Sequence, residues 1–292
     1  MNTQTEIALG TAQFGLNYGI AGRGEVVPQT EVCQILERAW DLGIRRIDTA
    51  PVYGAIEKEL KMLLKKYPFK VVSKIPFVPV NDEKDDIAHF ILNHIRSSQN
   101  NLDDSLDALL FHRSGDLFSE QANFIWEVAS KALKNSNIRL GVSCYSPDEL
   151  KKLCKRFPIQ VSQIPGNAFD QRLRSTHEIT DVEIHLRSVF LQGILLLSLD
   201  QVSEKLPKAA DALKNWKTWC EENNFSPLQG ALSFVKFHPN VSYCVIGVDR
   251  LSQLEEIYNC WTTLQPMKTH PPSVNDLDII DPRCWEKFPL SN

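Results

Sequence analysis

Apolar positions in this chain follow two rhythms that alternate from residue 7 to residue 263. Short apolar runs read as β-strands, and each is followed by a stretch whose apolar residues recur at helical spacing. Ile7–Gly10 is the first strand. Gln29–Leu42 is an amphipathic helix with Val32, Ile35, Leu36 and Ala39 on one face, and it stops at Gly43, a residue type common just past a helix end. Strands at 45–48, 70–74 and 106–112 alternate with helices at 56–66, 85–98 and 119–134, the last with Ser119 as its N-cap. A strand at 138–143 precedes a helix at 147–156, where Ser146-Pro147 reads as a cap followed by a first-turn proline. Strands follow at 159–163, 184–191 and 243–246, with helices at 208–222, 227–237 and 251–263. The stretch 265–292 is rich in Pro and Asp and has little periodicity.

The rhythm runs through about eight strand–helix units with no linker or break in composition, so residues 1–292 are read as one domain, with a core at about 7–263 and a tail at 265–292. Continuous apolar strands alternating with helices predict a parallel sheet covered on both faces. Eight units in roughly 260 residues predict an α/β fold of the closed (β/α)8 TIM-barrel type, with the tail over its C-terminal face. An open doubly wound sheet would announce itself by Gly-x-Gly-x-x-Gly after the first strand. Here that turn reads Gly10-Thr11-Ala12-Gln13-Phe14-Gly15, and Gly22-Arg23-Gly24 lacks the third glycine.

Four side chains lie at or just beyond the ends of three predicted strands: Asp48, Tyr53, Lys74 and His112. Parallel strands end on one rim, so an acid, a phenol, an ammonium and an imidazole converge there. Taken singly, an Asp at a strand end is usually a turn residue and a rim His a structural one. As an ordered set they make a proton-transfer site.

Composition narrows the partners. The net charge of −4, with 43% hydrophobic and 23% charged residues, gives no electrostatic case for nucleic acid or an anionic membrane. The N-terminus has no basic region followed by an apolar stretch, and no later run is long enough to span a bilayer. Seven scattered cysteines without a Cys-x-x-Cys pair or zinc spacing read as reduced core thiols, so a cytoplasmic, metal-free protein is expected. A metal-dependent barrel hydrolase would need converging ligands such as His-x-His at the first strand, and residues 10–15 carry none.

The segments Gly10-Thr11-Ala12-x-Phe14-Gly15, Asp48-Thr49-Ala50-x-x-Tyr53-Gly54, Ser73-Lys74, Leu110-Phe111-His112-Arg113 and Gly141-Val142-Ser143 resemble the aldo/keto reductase superfamily. Gln163-x-Pro165-x-Asn167, Gly193-x-Leu195 and Gly247-Val248-x-Arg250-x-x-Gln253-Leu254-Glu255-Glu256 continue the resemblance in order, from about residue 7 to 263. Residues 187–193 look like those of bacterial members found with sugar or surface-polysaccharide enzymes. The resemblance implies an NAD(P)-dependent oxidoreductase that interconverts an aldehyde, ketone or sugar with an alcohol. Tyr53 would be the general acid/base, Lys74 would lower its pKa, Asp48 would pair with Lys74, and His112 would position the carbonyl.

For the cofactor, NADP or NAD, the resemblance implies contacts from Gly10, Thr11, Ala12, Ser143, Gln163, Arg187, Gly247, Val248, Arg250, Gln253 and Glu256. Cys144 stands where the family often has Asn, with Asn167 a substitute, and Arg187 stands where many members stack a tyrosine on the nicotinamide. Arg250 suits a 2′-phosphate and its neighbour Asp249 opposes one, which leaves a slight preference for NADP. Phe14, Tyr18, Phe77, Arg113 and Trp285 are expected to line the substrate mouth, and Arg113, Arg172 and Asn17 point to a polar, hydroxylated or anionic small molecule. The alternative function is a cofactor-binding regulatory subunit with little turnover.

Overall fold

The computed structural model describes residues 5–22 and 24–285. Eight parallel strands close into a barrel in sequence order: β1 (Glu6–Gly10), β2 (Arg46–Asp48), β3 (Lys70–Ile75), β4 (Leu106–Phe111), β5 (Arg139–Ser143), β6 (Val161–Pro165), β7 (Glu183–Arg187) and β8 (Tyr243–Gly247). Closure is made by β1 against β8, from Glu6↔Tyr243 to Gly10↔Gly247. The helices are α1 (Ala12–Gly15), α2 (Gln29–Asp41), α3 (Ile56–Lys66), α4 (Lys84–Leu102), α5 (Ala122–Leu133), α6 (Pro147–Cys154), α7 (Leu199–Lys205), α8 (Ala210–Glu222), α9 (Pro227–Lys236), α10 (Leu251–Thr263) and α11 (Leu277–Ile280). None among the described residues is long and apolar enough to cross a membrane.

The strands sort their residues by parity. Ile47, Val71, Leu109, Phe111, Leu140, Val142, Ile184 and Leu186 join the main core beneath the helices. Their immediate neighbours along each strand face the lumen. There Val72, Ala108, Leu110 and Val161 form a separate small apolar cluster. On the N-terminal side of that belt the lumen is ionic. Arg46 and Arg139 both donate to Asp107 Oδ2 at 2.5 Å, and Arg139 also reaches Glu183 at 3.0 Å. The register slips between Val71↔Leu106 and Val72↔Ala108, a bulge that leaves Asp107 without a ladder partner and frees it to meet these arginines. So the strands are not the uniformly apolar runs expected. Glu183-Ile184-His185-Leu186-Arg187 alternates strictly, with its polar members turned into the barrel.

Several local expectations change. Ser119 does not cap α5, whose N-cap is Gln121. Its hydroxyl instead donates to the Asp116 carbonyl at 2.7 Å, closing a 3-10 turn over Ser114–Phe118. The strand expected over 184–191 ends at Arg187, because Ser188 turns to φ 61° and Leu191, Gln192 and Gly193 follow at 48°, 52° and 96°. The β6–β7 connection carries only a 3-10 segment, Gln171–Glu178, in place of a crossover α-helix. Helix α7 was not expected, although Ser198 and Gln201 form a reciprocal capping box at its start. The Ser146 cap of α6 with Pro147 in its first turn is as read.

The tail is held down. Ile279, Ile280 and Trp285 pack with Trp216, Leu213, Leu195, Phe169 and Ile20 in a second apolar cluster. Trp216 anchors it, donating to the Leu195 carbonyl at 3.1 Å and stacking on Trp219 with ring centroids 5.5 Å apart.

Gly141 in β5 has no room for a side chain. A Cβ there would lie 1.8 Å from the Val161 carbonyl oxygen and 2.7 Å from Leu110 Cδ2. Gly141→Ala should therefore prise β5 from β6 and lower unfolding free energy by at least about 2–3 kcal/mol. Urea unfolding measures this, and an unchanged midpoint would contradict the packing described.

Candidate active site

Asp48 ends β2, Lys74 lies in β3, His112 follows β4, and Tyr53 closes the 3-10 turn Pro51–Tyr53 after β2. Lys74 is 1% exposed. Its ammonium donates to Asp48 Oδ1 at 2.8 Å, Asp48 Oδ2 at 2.9 Å and the Thr49 carbonyl at 2.9 Å. Three donors thus meet three acceptors. From β6, across the lumen, Gln163 Nε2 adds a bond to Asp48 Oδ2 at 2.7 Å. A buried ammonium or carboxylate alone would be strongly destabilising, and removing one member of such a pair costs about 3–5 kcal/mol.

Tyr53 stands beside this pair with the Lys74 nitrogen 5.2 Å from its ring centroid. Burial dominates the titration of this phenol. Burial raises the Tyr53 pKa well above the ordinary value and Asp48 adds to the rise, while Arg187 pulls the other way. Burial likewise pulls the Lys74 pKa down, and Asp48 holds against it. His112 sits edge-on to Tyr53, with centroids 6.1 Å apart. Burial, with Lys74 and Arg187 nearby, depresses its pKa to about 3, and its Nδ1 is buried without a partner among the described residues. At neutral pH the group is a phenol, a neutral imidazole and one ion pair.

Tyr53 also depends on a close backbone approach. A Cβ on Gly15, at the end of α1, would fall 1.6 Å from the Tyr53 carbonyl oxygen. Only glycine lets the first loop lie against the Tyr53 turn.

A cavity of about 590 Å³ opens beside Asp48 and Tyr53 and extends to Gly247, Gln253 and Glu256 where β8 meets α10. Its size is that of a small-molecule site. Gly10, Thr11, Ala12, Gln163, Tyr18 and Arg187 line it as the sequence suggested. Other suggested residues do not. Phe14 is 3% exposed and belongs to the main core, because α1 folds back on the barrel. Trp285 is 4% exposed within the second apolar cluster. Val248 and Ser143 are buried outside the lining, and Arg250 is exposed outside it.

Phe77 lies against His112 with centroids 5.4 Å apart, and Arg113 covers Phe77 at 4.9 Å while bonding Asp116 at 2.7 Å. Arg172 is held by Asp170 at 2.7 Å, and Asn17 is exposed. Asn167 is committed to its own loop, donating to the Ser188 carbonyl and accepting from Phe169 and Asp170 N–H groups. Cys144 is fully buried with its thiol pKa raised by burial, a core thiol as read.

Backbone N–H groups near the start of α10 are partly used by side chains. The Asp249 N–H donates to Gln253 Oε1 at 2.7 Å and the Leu251 N–H to Glu31 Oε1 at 3.2 Å. Sequence reasoning missed the cavity wall formed by Ser188–Phe190, Gln192, Leu196 and Leu228, for which no periodic signal exists. It also missed Tyr145, whose ring is flanked by the guanidinium groups of Arg187 at 5.2 Å and Arg283 at 3.5 Å. Tyr145 follows β5 by two residues, so the strand-end rule could have found it. Among the described residues no group of three His, Cys, Asp or Glu is placed to hold a metal.

The model of the aldo/keto reductase family matches residues 6–270. Solved structures with the same architecture include an aldo-keto reductase from Bacillus halodurans in its holo form, with a TM-score of 0.70 at 18% identity, covering 90% of this chain and 88% of that one. A provisionally assigned aldo-keto reductase from Pseudomonas aeruginosa superposes with a TM-score of 0.63 at 18% identity, covering 88% and 90%. No curated protein matches the chain significantly.

The depressed His112 pKa has a consequence for stability. Between the ordinary pKa of 6.5 and about 3 the unfolded chain binds a proton at His112 that the folded chain excludes. Unfolding free energy therefore falls as pH drops through that window. His238, depressed to about 4 by burial, acts in the same direction. Melting temperature should fall with acidification below pH 6.5, and less steeply for His112→Gln; identical slopes would contradict the buried neutral imidazole.

Proposed function

The chain belongs to the aldo/keto reductase family of oxidoreductases, and from that premise we propose that it reduces an aldehyde, ketone or sugar carbonyl with a nicotinamide dinucleotide, Tyr53 giving the proton. The observation that supports this most is the closed hydrogen-bond set of Lys74, Asp48 and Thr49, which leaves a neutral Tyr53 phenol at the cavity beside a neutral His112. The cavity fits the dinucleotide by its extent from Tyr53 to Glu256 and by small or flat lining at Gly10, Ala12 and Gly247. A Cβ at Gly247 would already meet the Gln13 amide at 2.3 Å. Gln163 retains its Oε1 for a carboxamide donor, since its amide nitrogen is spent on Asp48. Arg250 lies outside the wall and Asp249 and Glu256 on it, which turns the slight preference for NADP read from the sequence toward NAD.

When bound, the cofactor supplies the hydride that reaches the carbonyl carbon. Negative charge then grows on the carbonyl oxygen, and the protein must protonate it. An alkoxide is a far stronger base than a phenolate, so a phenol with a raised pKa still donates downhill. His112, held neutral, offers a ring N–H to the same oxygen without competing for its proton. As Tyr53 becomes a phenolate, Lys74 and Arg187 are the cations near it. Asp48 keeps Lys74 charged for that moment.

Absorbance assays with NADH and NADPH separately, across aldehydes and sugars, test the reading. Tyr53→Phe should reduce kcat by about 10²–10⁴-fold while dinucleotide binding, followed by fluorescence, persists. A Tyr53→Phe enzyme of undiminished rate would refute the acid assignment. Tight cofactor binding by the wild type without turnover on any carbonyl would point to a regulatory subunit.

A further inference from the structure

Among the described residues, five arginines around the barrel mouth and lumen are matched to carboxylates. Arg113 holds Asp116, Arg172 holds Asp170, Arg283 holds Asp281, and Arg46 and Arg139 share Asp107. Arg187 has no carboxylate within ion-pair distance among the described residues. Its Nη2 donates to the Cys144 carbonyl at 3.2 Å and its Nη1 to the Ser188 hydroxyl at 3.4 Å. Both bonds are long, and a guanidinium has five donors. Asp281, the carboxylate whose field it shares, is occupied by Arg283 through both oxygens.

The position of this group is set by the fold. Arg187 is the last residue of β7, paired with Pro165 of β6, and it lines the cavity together with Asp48, Tyr53 and Tyr18. Its charge acts on Tyr18, Tyr53, Lys74 and His112 alike. A half-buried guanidinium turned toward a cavity and lacking an anion is a costly arrangement unless a ligand completes it. Guanidinium geometry matches carboxylate and phosphate oxygens two at a time.

We infer that Arg187 is a substrate anchor, and that the carbonyl compound reduced beside Tyr53 carries an anionic group, a carboxylate or a phosphate, that pairs with this guanidinium. The inference rests on the carbonyl-reductase reading and narrows it to acidic aldehydes, keto acids or sugar acids and sugar phosphates. It moves the anion-recognition role from Arg113 and Arg172, whose charges are spent, to Arg187, and so gives a substrate role to the residue that the resemblance placed against the nicotinamide.

The test compares matched carbonyls: succinic semialdehyde against butanal for the carboxylate, and glyceraldehyde 3-phosphate against glyceraldehyde for the phosphate. Wild-type kcat/KM should favour the anionic member of at least one pair by about tenfold or more, carried mainly by KM, and the favoured pair identifies the anion. In Arg187→Met that ratio should fall by about 10- to 100-fold, the size expected for losing a charged hydrogen bond, and Arg187→Lys should restore part of it. Equal rates within both pairs for the wild type, or a ratio unmoved in Arg187→Met, would overturn the proposal. A second measurement does not need turnover. Succinate and inorganic phosphate are titrated by calorimetry into wild type and Arg187→Met, and at least one should bind the wild type and lose about tenfold or more in affinity in the variant. If no carbonyl is reduced but the anion binds through Arg187, the reductase reading fails and the anchor stands. If neither anion binds the wild type, or binding is indifferent to Arg187, the anchor fails whatever the activity.

Discussion

An ammonium placed inside a β-barrel has to be neutralised where it stands, and the Lys74–Asp48 pair meets that constraint with nothing left over. All three Lys74 protons are satisfied, one by the Thr49 carbonyl and two by the Asp48 carboxylate. The carboxylate is in turn fixed by Gln163 from the opposite side of the lumen. Burial is the largest influence on the groups around the pair: with Asp48 it holds the neighbouring phenol neutral, and with Lys74 and Arg187 it keeps the imidazole uncharged. A Lys74 without its partner would tend to deprotonate under the pull of burial.

The same pair explains how the strands must be patterned. A strand that turns polar residues into a barrel reads, in sequence, like one that turns them to solvent. Arg46-Ile47-Asp48 and the β7 sequence both alternate, yet their polar residues are inside and their apolar residues face the helices. The lumen is therefore layered. An ionic layer of Arg46, Asp107, Arg139, Glu183 and His185 lies at one end, an apolar belt of Val72, Ala108, Leu110 and Val161 in the middle, and the Asp48–Lys74 pair at the other. The belt keeps the two charged layers as separate networks: no hydrogen bond joins them among the described residues.

This layering decides what could be read in advance. The barrel was legible because strand and helix periods alternate along the chain, and Asp48, Lys74 and His112 because each falls within one residue of a strand's end. Tyr145 was legible by the same rule and was passed over. The cavity's far wall was not, since Ser188, Leu191, Gln192 and Gly193 take left-handed conformations that no hydrophobic period encodes. Phe14 and Trp285 were read as mouth residues because loops and tails border such mouths. The packing energy of burying an aromatic ring, about 1.5–3 kcal/mol for a phenylalanine, drew both into cores instead. Charge was the least legible property. Arg113 and Arg172 looked free until their partners Asp116 and Asp170, three and two residues away, were seen to bind them.

What distinguishes Arg187 is then a matter of geometry more than of residue type. Arg172 and Arg283 have an aspartate two residues before them and Arg113 one three residues after, so a turn of chain closes each ion pair locally. At the end of β7 the strand turns away at Ser188, and the side chain is left facing the cavity with the Tyr145 ring at its side. Local chain geometry cannot supply its counter-ion. Lys74 shows how completely this fold neutralises a buried cation when a carboxylate is within reach. Arg187, close enough to act on the same tyrosine and without a carboxylate in ion-pair distance among the described residues, faces the cavity instead.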